Sequence, residues 1–195
     1  MNHLNNTSRK LMIGCCICLI IFLLIFALMY KVLHVKNNHD YHAGLTMINE
    51  NLPMFSLPTL ANLDIKVDQD VVNNKVNLIN IWSSNCRSCK QEHFILMKIA
   101  KYIKNKKIIF IGLNYNDDQE RAANWLSING DPYMINLLDQ QGELASELGA
   151  KSLPALFLVD SNQIIRYRYL GLITMAVWEK NIRPVLDQLV LKTNK

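Results

Sequence analysis

The sequence predicts an α/β domain in which helices cover both faces of a mixed central sheet, preceded by a single N-terminal transmembrane helix. Three observations predict it. Val76 to Trp82, rich in Val, Leu and Ile, runs into the small polar Ser83-Ser84-Asn85 and then into Cys86-x-x-Cys89 at the head of a helical pattern, which reads as strand, turn and helix start. Downstream, strand-like and helical runs alternate and finish in a hairpin signal, the order that builds a sheet packed on both sides. Upstream, Leu11 to Tyr30 holds no charged residue, and about 20 residues at roughly 1.5 Å each span a hydrocarbon core of about 30 Å.

Taken in order, residues 1–10 form a short cytoplasmic N-terminus, 11–30 the membrane anchor, 31–47 a linker and 48–195 the folded domain. Arg9 and Lys10 precede the apolar run as in a signal peptide, but Leu28-Met29-Tyr30-Lys31 stands where a small-x-small cleavage site would fall, so the run is expected to remain as an anchor. Cys15, Cys16 and Cys18 lie within it as lipid-facing or packing residues. Lys31 and Lys36 nearly balance Arg9 and Lys10, which leaves only a slight positive-inside bias. Thiol exchange has its use in an oxidising compartment, and that places the C-terminal domain outside the cytoplasm. His34, His39 and His42 in the linker match no strong ligand spacing, and neither metal nor cofactor is expected.

Within the domain, Asn51 to Pro58 is an apolar alternation broken by prolines, which confines it to an edge strand or an extended cover. Val76 to Trp82 is the central strand. The helix beginning near Cys86 offers Phe94, Met97, Ile99 and Ile103 as its apolar face, and Lys98, Lys101, Lys104, Lys106 and Lys107 as its wet face and end. Lys107 to Gly112 is the next buried strand. Asp117 to Ile128 is a helix whose two opening aspartates cap and complement the dipole rather than act as paired catalytic carboxylates. Glu143 to Leu148 is a short helix closed by Gly149, and Ala155 to Val159 with Ile164 to Tyr169 form the hairpin. Thr174 to Leu189 is the closing helix, with a kink at Pro184. Trp125 and Trp178, at helical spacing with Leu126 and Ile182, belong to the core.

Composition narrows the function. Hydrophobic residues make up 50% of the chain, enough for a real core, and the net charge of +5 is spread out rather than gathered into a basic stripe with interleaved aromatics. Nucleic-acid binding therefore has no support. No glycine-rich phosphate loop and no serine nucleophile motif occur.

The two cysteines carry chemistry. Cys86 at a helix N-terminus faces unpaired amides and the positive end of the macrodipole, which favour its thiolate, and Arg87 adds a positive charge next door. Cys89, one turn on, lies on the same side and can resolve a mixed disulfide. The same pair could be half of a zinc site or a purely structural disulfide. Structural zinc needs four ligands, yet the other cysteines are all near the N-terminus; the strand-to-helix context favours thiol and disulfide exchange.

Trp82-Ser83-Ser84-Asn85-Cys86-Arg87-Ser88-Cys89, followed much later by Leu153-Pro154 at the head of an apolar strand, looks like the thioredoxin fold. Cys86-x-x-Cys89-Lys90-Gln91-Glu92-His93, Gly112-Leu113-Asn114-Tyr115-Asn116-Asp117-Asp118, Trp125-Leu126 and Ile164 to Gly171 more narrowly resemble the CcmG/DsbE family of membrane-anchored thiol:disulfide interchange proteins, over about Leu52 to Leu189. The resemblance implies a periplasmic domain on a single-pass inner-membrane anchor. It also implies a reductant that passes electrons to apocytochrome c or its thiol chaperone during cytochrome c maturation, recharged by a transmembrane thiol reductase. By the same similarity Cys86 is the nucleophile, Cys89 resolves, and Leu153 and a cis Pro154 offer the substrate a short docking edge.

Glu92 matches the acidic residue of the family's C-x-x-C-x-x-E-H pattern and is the expected acceptor of the Cys89 proton. Thioredoxin itself places a carboxylate on the strand beneath the motif, where this chain has Asn80. The alternative for Glu92 is an ordinary solvated helix residue, and His93 is expected to orient or pack. The chain departs from its relatives at Gly149-Ala150-Lys151-Ser152-Leu153-Pro154-Ala155, which lacks the glutamate usual after the proline, and at Asn85, which replaces the usual Trp. Two competing functions share the cysteines: a membrane-tethered reductant for copper-site assembly in a terminal oxidase, and a non-catalytic module whose C-x-x-C holds a metal.

Overall fold

The computed structural model describes residues 13–14, 16–27, 29–30, 47–150 and 152–193. The chain divides into two units, Met1–Ala43 and Gly44–Lys195. In the first, residues 13–14, 16–27 and 29–30 are helical, and among the described residues no helix is long and apolar enough to cross a membrane. Leu11, Met12, Cys15 and Leu28 of the expected anchor lie outside the described residues, as do His34, His39 and His42 of the linker and Lys151.

In the second unit, Asn51 to Pro58, expected as an edge strand or an extended cover, is mostly an extended cover. Only Ser56–Pro58 (β1) is strand, and it pairs with Lys66–Asp68 (β2) in a two-stranded ribbon. Single bridges join Asn51 to Ile164 and Thr59 to Leu137.

The main sheet is built from β3 (Val76–Trp82), β4 (Ile108–Tyr115), β5 (Ile135–Asp139), β6 (Ala155–Val159) and β7 (Ile165–Leu170), in the order β5-β4-β3-β6-β7. β3 to β5 run parallel, while β6 and β7 are antiparallel additions, so the sheet is mixed as expected. All seven residues of β3 are buried, because apolar clusters cover both faces. Ile79 and Ile81 pack on one side with Ile111, Leu113 and Phe157. Leu78 packs on the other with Leu96, Ile99, Phe110, Trp178 and Ile182. Such continuous apolar strands follow from burial on both faces. β2 and β5, of three and five residues, had no clear sequence signal because they are short.

The helix after Cys86 spans Arg87–Ile103, and its buried face corrects the expected one. Ile99 and Ile103 are buried, but Phe94 is 66% exposed and Met97 36%. The buried stripe runs instead through Cys89, Glu92, His93, Leu96, Ile99 and Ile103. That is a regular three-and-four spacing whose two polar members hid its phase. Phe94 lies outside under the Lys98 ammonium, 4.4 Å from its ring centre.

The closing segment is also more articulated than expected. A short helix at Met175–Val177 leads into a π turn at Trp178–Ile182 and then the Arg183–Thr193 helix. Pro184 has no N–H to give to the carbonyl of Lys180 and its ring crowds that carbonyl, so the preceding turn widens.

Candidate active site

Chain geometry brings the sulfurs together at the end of β3. Trp82 closes the strand, Ser83-Ser84-Asn85 makes the turn, with the Cys86 amide donating to the Ser83 carbonyl at 3.1 Å, and Cys86 is the N-cap of the Arg87–Ile103 helix. Cys86 and Cys89 are joined by a disulfide. The Cys89 amide donates to the Cys86 sulfur at 3.0 Å. Cys86 is half-buried and Cys89 is 4% exposed, so an incoming partner reaches the first sulfur before the second.

Two buried carboxyls belong to this region, Asp117 bonded to the turn and Glu92 further along the helix that follows it. Asp117 ends the connection from β4, and its carboxylate accepts from the Ser84 amide and, at 2.8 Å, from the Ser84 hydroxyl. It also accepts from the Asn114 amide at 3.1 Å and from Arg121 Nη2 at 3.0 Å. Burial pushes this carboxyl up, but the donors from Ser84, Asn114 and Arg121 outweigh burial and hold it below the ordinary range. Asp118, not Asp117, caps the Gln119–Asn129 helix, accepting from the Arg121 amide at 2.9 Å. The expected pair of capping aspartates is therefore one cap and one clamp on the cysteine loop.

Glu92 is no solvated helix residue: it is fully buried, on the same helix stripe as Cys89. One oxygen accepts from the Ile173 amide at 2.9 Å, and the other has no hydrogen-bond partner among the described residues. Burial raises its pKa to about 8, against the smaller opposing effects of the Ile173 amide and the nearby Asn80 side chain. At neutral pH Glu92 is therefore mostly protonated, and its ionised fraction, roughly a tenth at pH 7, is the form able to accept a proton.

His93 fills the helix flank as packing. Its ring stands edge-on to Trp125, centres 4.4 Å apart, and its Nε2 lies 3.2 and 3.1 Å from the carbonyls of Asn129 and Gly130. Burial lowers its pKa, more strongly than those carbonyls and Asp131 raise it. Trp125 is half-buried rather than core, tilted against Trp82 at 5.6 Å. Leu153-Pro154 is a cis bond, and Leu153 packs with Cys86 against the cluster containing Cys89 and Trp82. Among the described residues no group of three or more His, Cys, Asp or Glu could hold a metal ion.

Sequence reasoning missed Asp117 as a clamp and Tyr133 altogether. Tyr133 stacks near Trp82, and its hydroxyl accepts from the Asn80 amide at 3.0 Å. The signal for Asp117 was its redundancy, since one helix start needs one cap.

A disulfide between a half-exposed cysteine at a helix tip and a buried one a turn later, on a mixed five-stranded sheet, defines a thiol:disulfide oxidoreductase of thioredoxin-like fold. The Redoxin family model matches residues 47–181. The thiol:disulfide interchange protein DsbE of Escherichia coli (strain K12) is 35% identical over 173 residues, 87% of this chain and 91% of that protein. DsbE of Vibrio cholerae is 32% identical over 149 residues, 76% of this chain and 79% of the relative. Among solved structures, a secreted thiol-disulfide isomerase from Corynebacterium glutamicum shares the fold with a TM-score of 0.61 and 20% identity, over 74% of this chain and 86% of that one. The chain belongs to the Redoxin family and, within it, to the DsbE thiol:disulfide interchange proteins.

Proposed function

We propose that this chain is a membrane-anchored reductant of the periplasm, held in the inner membrane by residues 11–30, that reduces disulfides of apocytochrome c or its thiol chaperone during cytochrome c maturation. The observation that carries the mechanism is the asymmetry between a half-buried Cys86 and a Cys89 that is buried on the same helix stripe as Glu92. In the reduced enzyme the Cys86 thiolate attacks a substrate disulfide, forming a mixed disulfide and releasing one substrate thiolate. Where Glu92 is ionised, Cys89 gives its proton to that carboxylate and attacks the Cys86 sulfur. The Cys86–Cys89 bond forms, the bond to substrate breaks, and the second substrate sulfur leaves as a thiolate that takes a proton. Two electrons pass from the enzyme pair to the substrate, and a transmembrane thiol reductase restores them.

A carboxyl with a pKa of about 8 is close to that of an ordinary thiol, about 8.5, so proton transfer between Cys89 and Glu92 is nearly balanced. Leu153, packed with Cys86, and Pro154, joined to it by a cis bond, form the edge on which the substrate segment lies. Cys89→Ser tests the reading. The variant should accumulate a mixed disulfide through Cys86, and mass spectrometry should find an apocytochrome or its thiol chaperone attached. Recovery of only copper-chaperone or oxidase peptides would overturn the substrate assignment.

A further inference from the structure

β3 and β4 pair so that Asn80 lies opposite Gly112. A Cβ at position 112 would sit 2.5 Å from the Asn136 side-chain oxygen and 2.6 Å from the Tyr133 ring, so these two side chains together occupy the place a side chain on β4 would take. From there the Tyr133 hydroxyl accepts from Asn80 Nδ2 at 3.0 Å, and the ring is braced edge-on by Phe110, centres 5.0 Å apart. The Asn80 amide is near enough to Glu92 to favour the ionised carboxyl. It makes no full hydrogen bond there: Glu92 Oε1 and Asn80 Oδ1 both lack partners among the described residues. One N–H of the Asn80 amide is held by the tyrosine, which fixes the amide where its second N–H makes no full hydrogen bond to Glu92 Oε1.

We propose that Tyr133 is a positioning residue for the resolving step: by drawing the Asn80 amide to itself it leaves one Glu92 oxygen unsatisfied and so keeps Glu92 a strong base, with Gly112 providing the room. The proposal rests on Glu92 receiving the Cys89 proton. The groups acting on Glu92 are Asn80 from β3 and the Ile173 amide after β7; Tyr133, from the segment before β5, senses its charge, and Cys89 shares its helix stripe. Asp131 acts on Tyr133 and His93. Burial holds the Tyr133 pKa well above its ordinary value, so its hydroxyl stays neutral while Glu92 titrates.

The test uses Tyr133→Phe, which keeps the ring and removes the hydroxyl, in the full-length protein. Infrared titration of the buried carboxyl in the disulfide form should show the Glu92 midpoint moving down by about one pH unit as the freed amide turns to the carboxylate. The pH–rate profile for resolution of a mixed disulfide should shift down with it, and its alkaline plateau should drop about threefold because the base is weaker. A Glu92 midpoint that stays in place or moves up overturns the role of Tyr133. Glu92→Gln separates the two layers: if it leaves the profile for resolution intact, Glu92 is not the proton acceptor, whatever Tyr133 does to its titration.

Discussion

Asp117, bonded to the cysteine turn, and Glu92, on the helix that follows it, are two buried carboxyls with opposite fates. Asp117 is surrounded by amide, hydroxyl and guanidinium donors, and its pKa is lowered. Glu92 has the Ile173 amide as its one hydrogen-bond donor among the described residues, and its pKa rises to about 8. Burial does not decide whether a carboxyl is charged; the supply of donors does. One acid is thereby fixed as an anchor for the loop, and the other is left able to exchange a proton.

The largest expected effect is on the pH dependence of stability. In the disulfide form the folded state keeps the Glu92 proton between the ordinary 4.5 and about 8, while the unfolded chain loses it. Stability attributable to Glu92 is therefore present below about pH 4.5 and falls as pH rises through that window, by at most about 1.4 kcal/mol per unit. Urea unfolding of Glu92→Gln across this range should show that slope removed; an unchanged slope breaks the contrast. Next comes Asp117→Ala, which strands the Ser84 and Asn114 donors and should cost about 2–4 kcal/mol at pH 7. Asp117 has the opposite sign: its lowered pKa gives stability that is lost only as pH falls below its ordinary 3.8. The smallest is Arg121→Ala. Its side chain is 51% exposed in the ion pair with Asp117, so a loss of about 1 kcal/mol or less is expected by chemical denaturation.

What could be read from the sequence was local. Strand, turn and C-x-x-C lie within one short unbroken stretch, Gly149 closes its helix at φ 67° as a glycine can, and the hairpin follows from adjacent runs. What could not be read depends on register. Gly112 says nothing of Tyr133 until β3 and β4 are paired, and Glu92 looks like any charged helix residue until the Ile173 amide arrives from 81 residues away. The phase of the active-site helix was misread for the same reason: Glu92 and His93 are polar members of a buried stripe, and Phe94 with Met97 looked the better apolar pair.

The amide of Cys89 already aims at the Cys86 sulfur while the two sulfurs are bonded, at 3.0 Å. When the bond opens, the charge arriving on that sulfur meets a dipole that needs no turning. The backbone serves as a fixed socket for both oxidation states, and the reorganisation needed at the helix tip is small. Handing electrons from donor to acceptor can then be governed by how partners meet at the half-exposed sulfur rather than by movement of the chain that carries it.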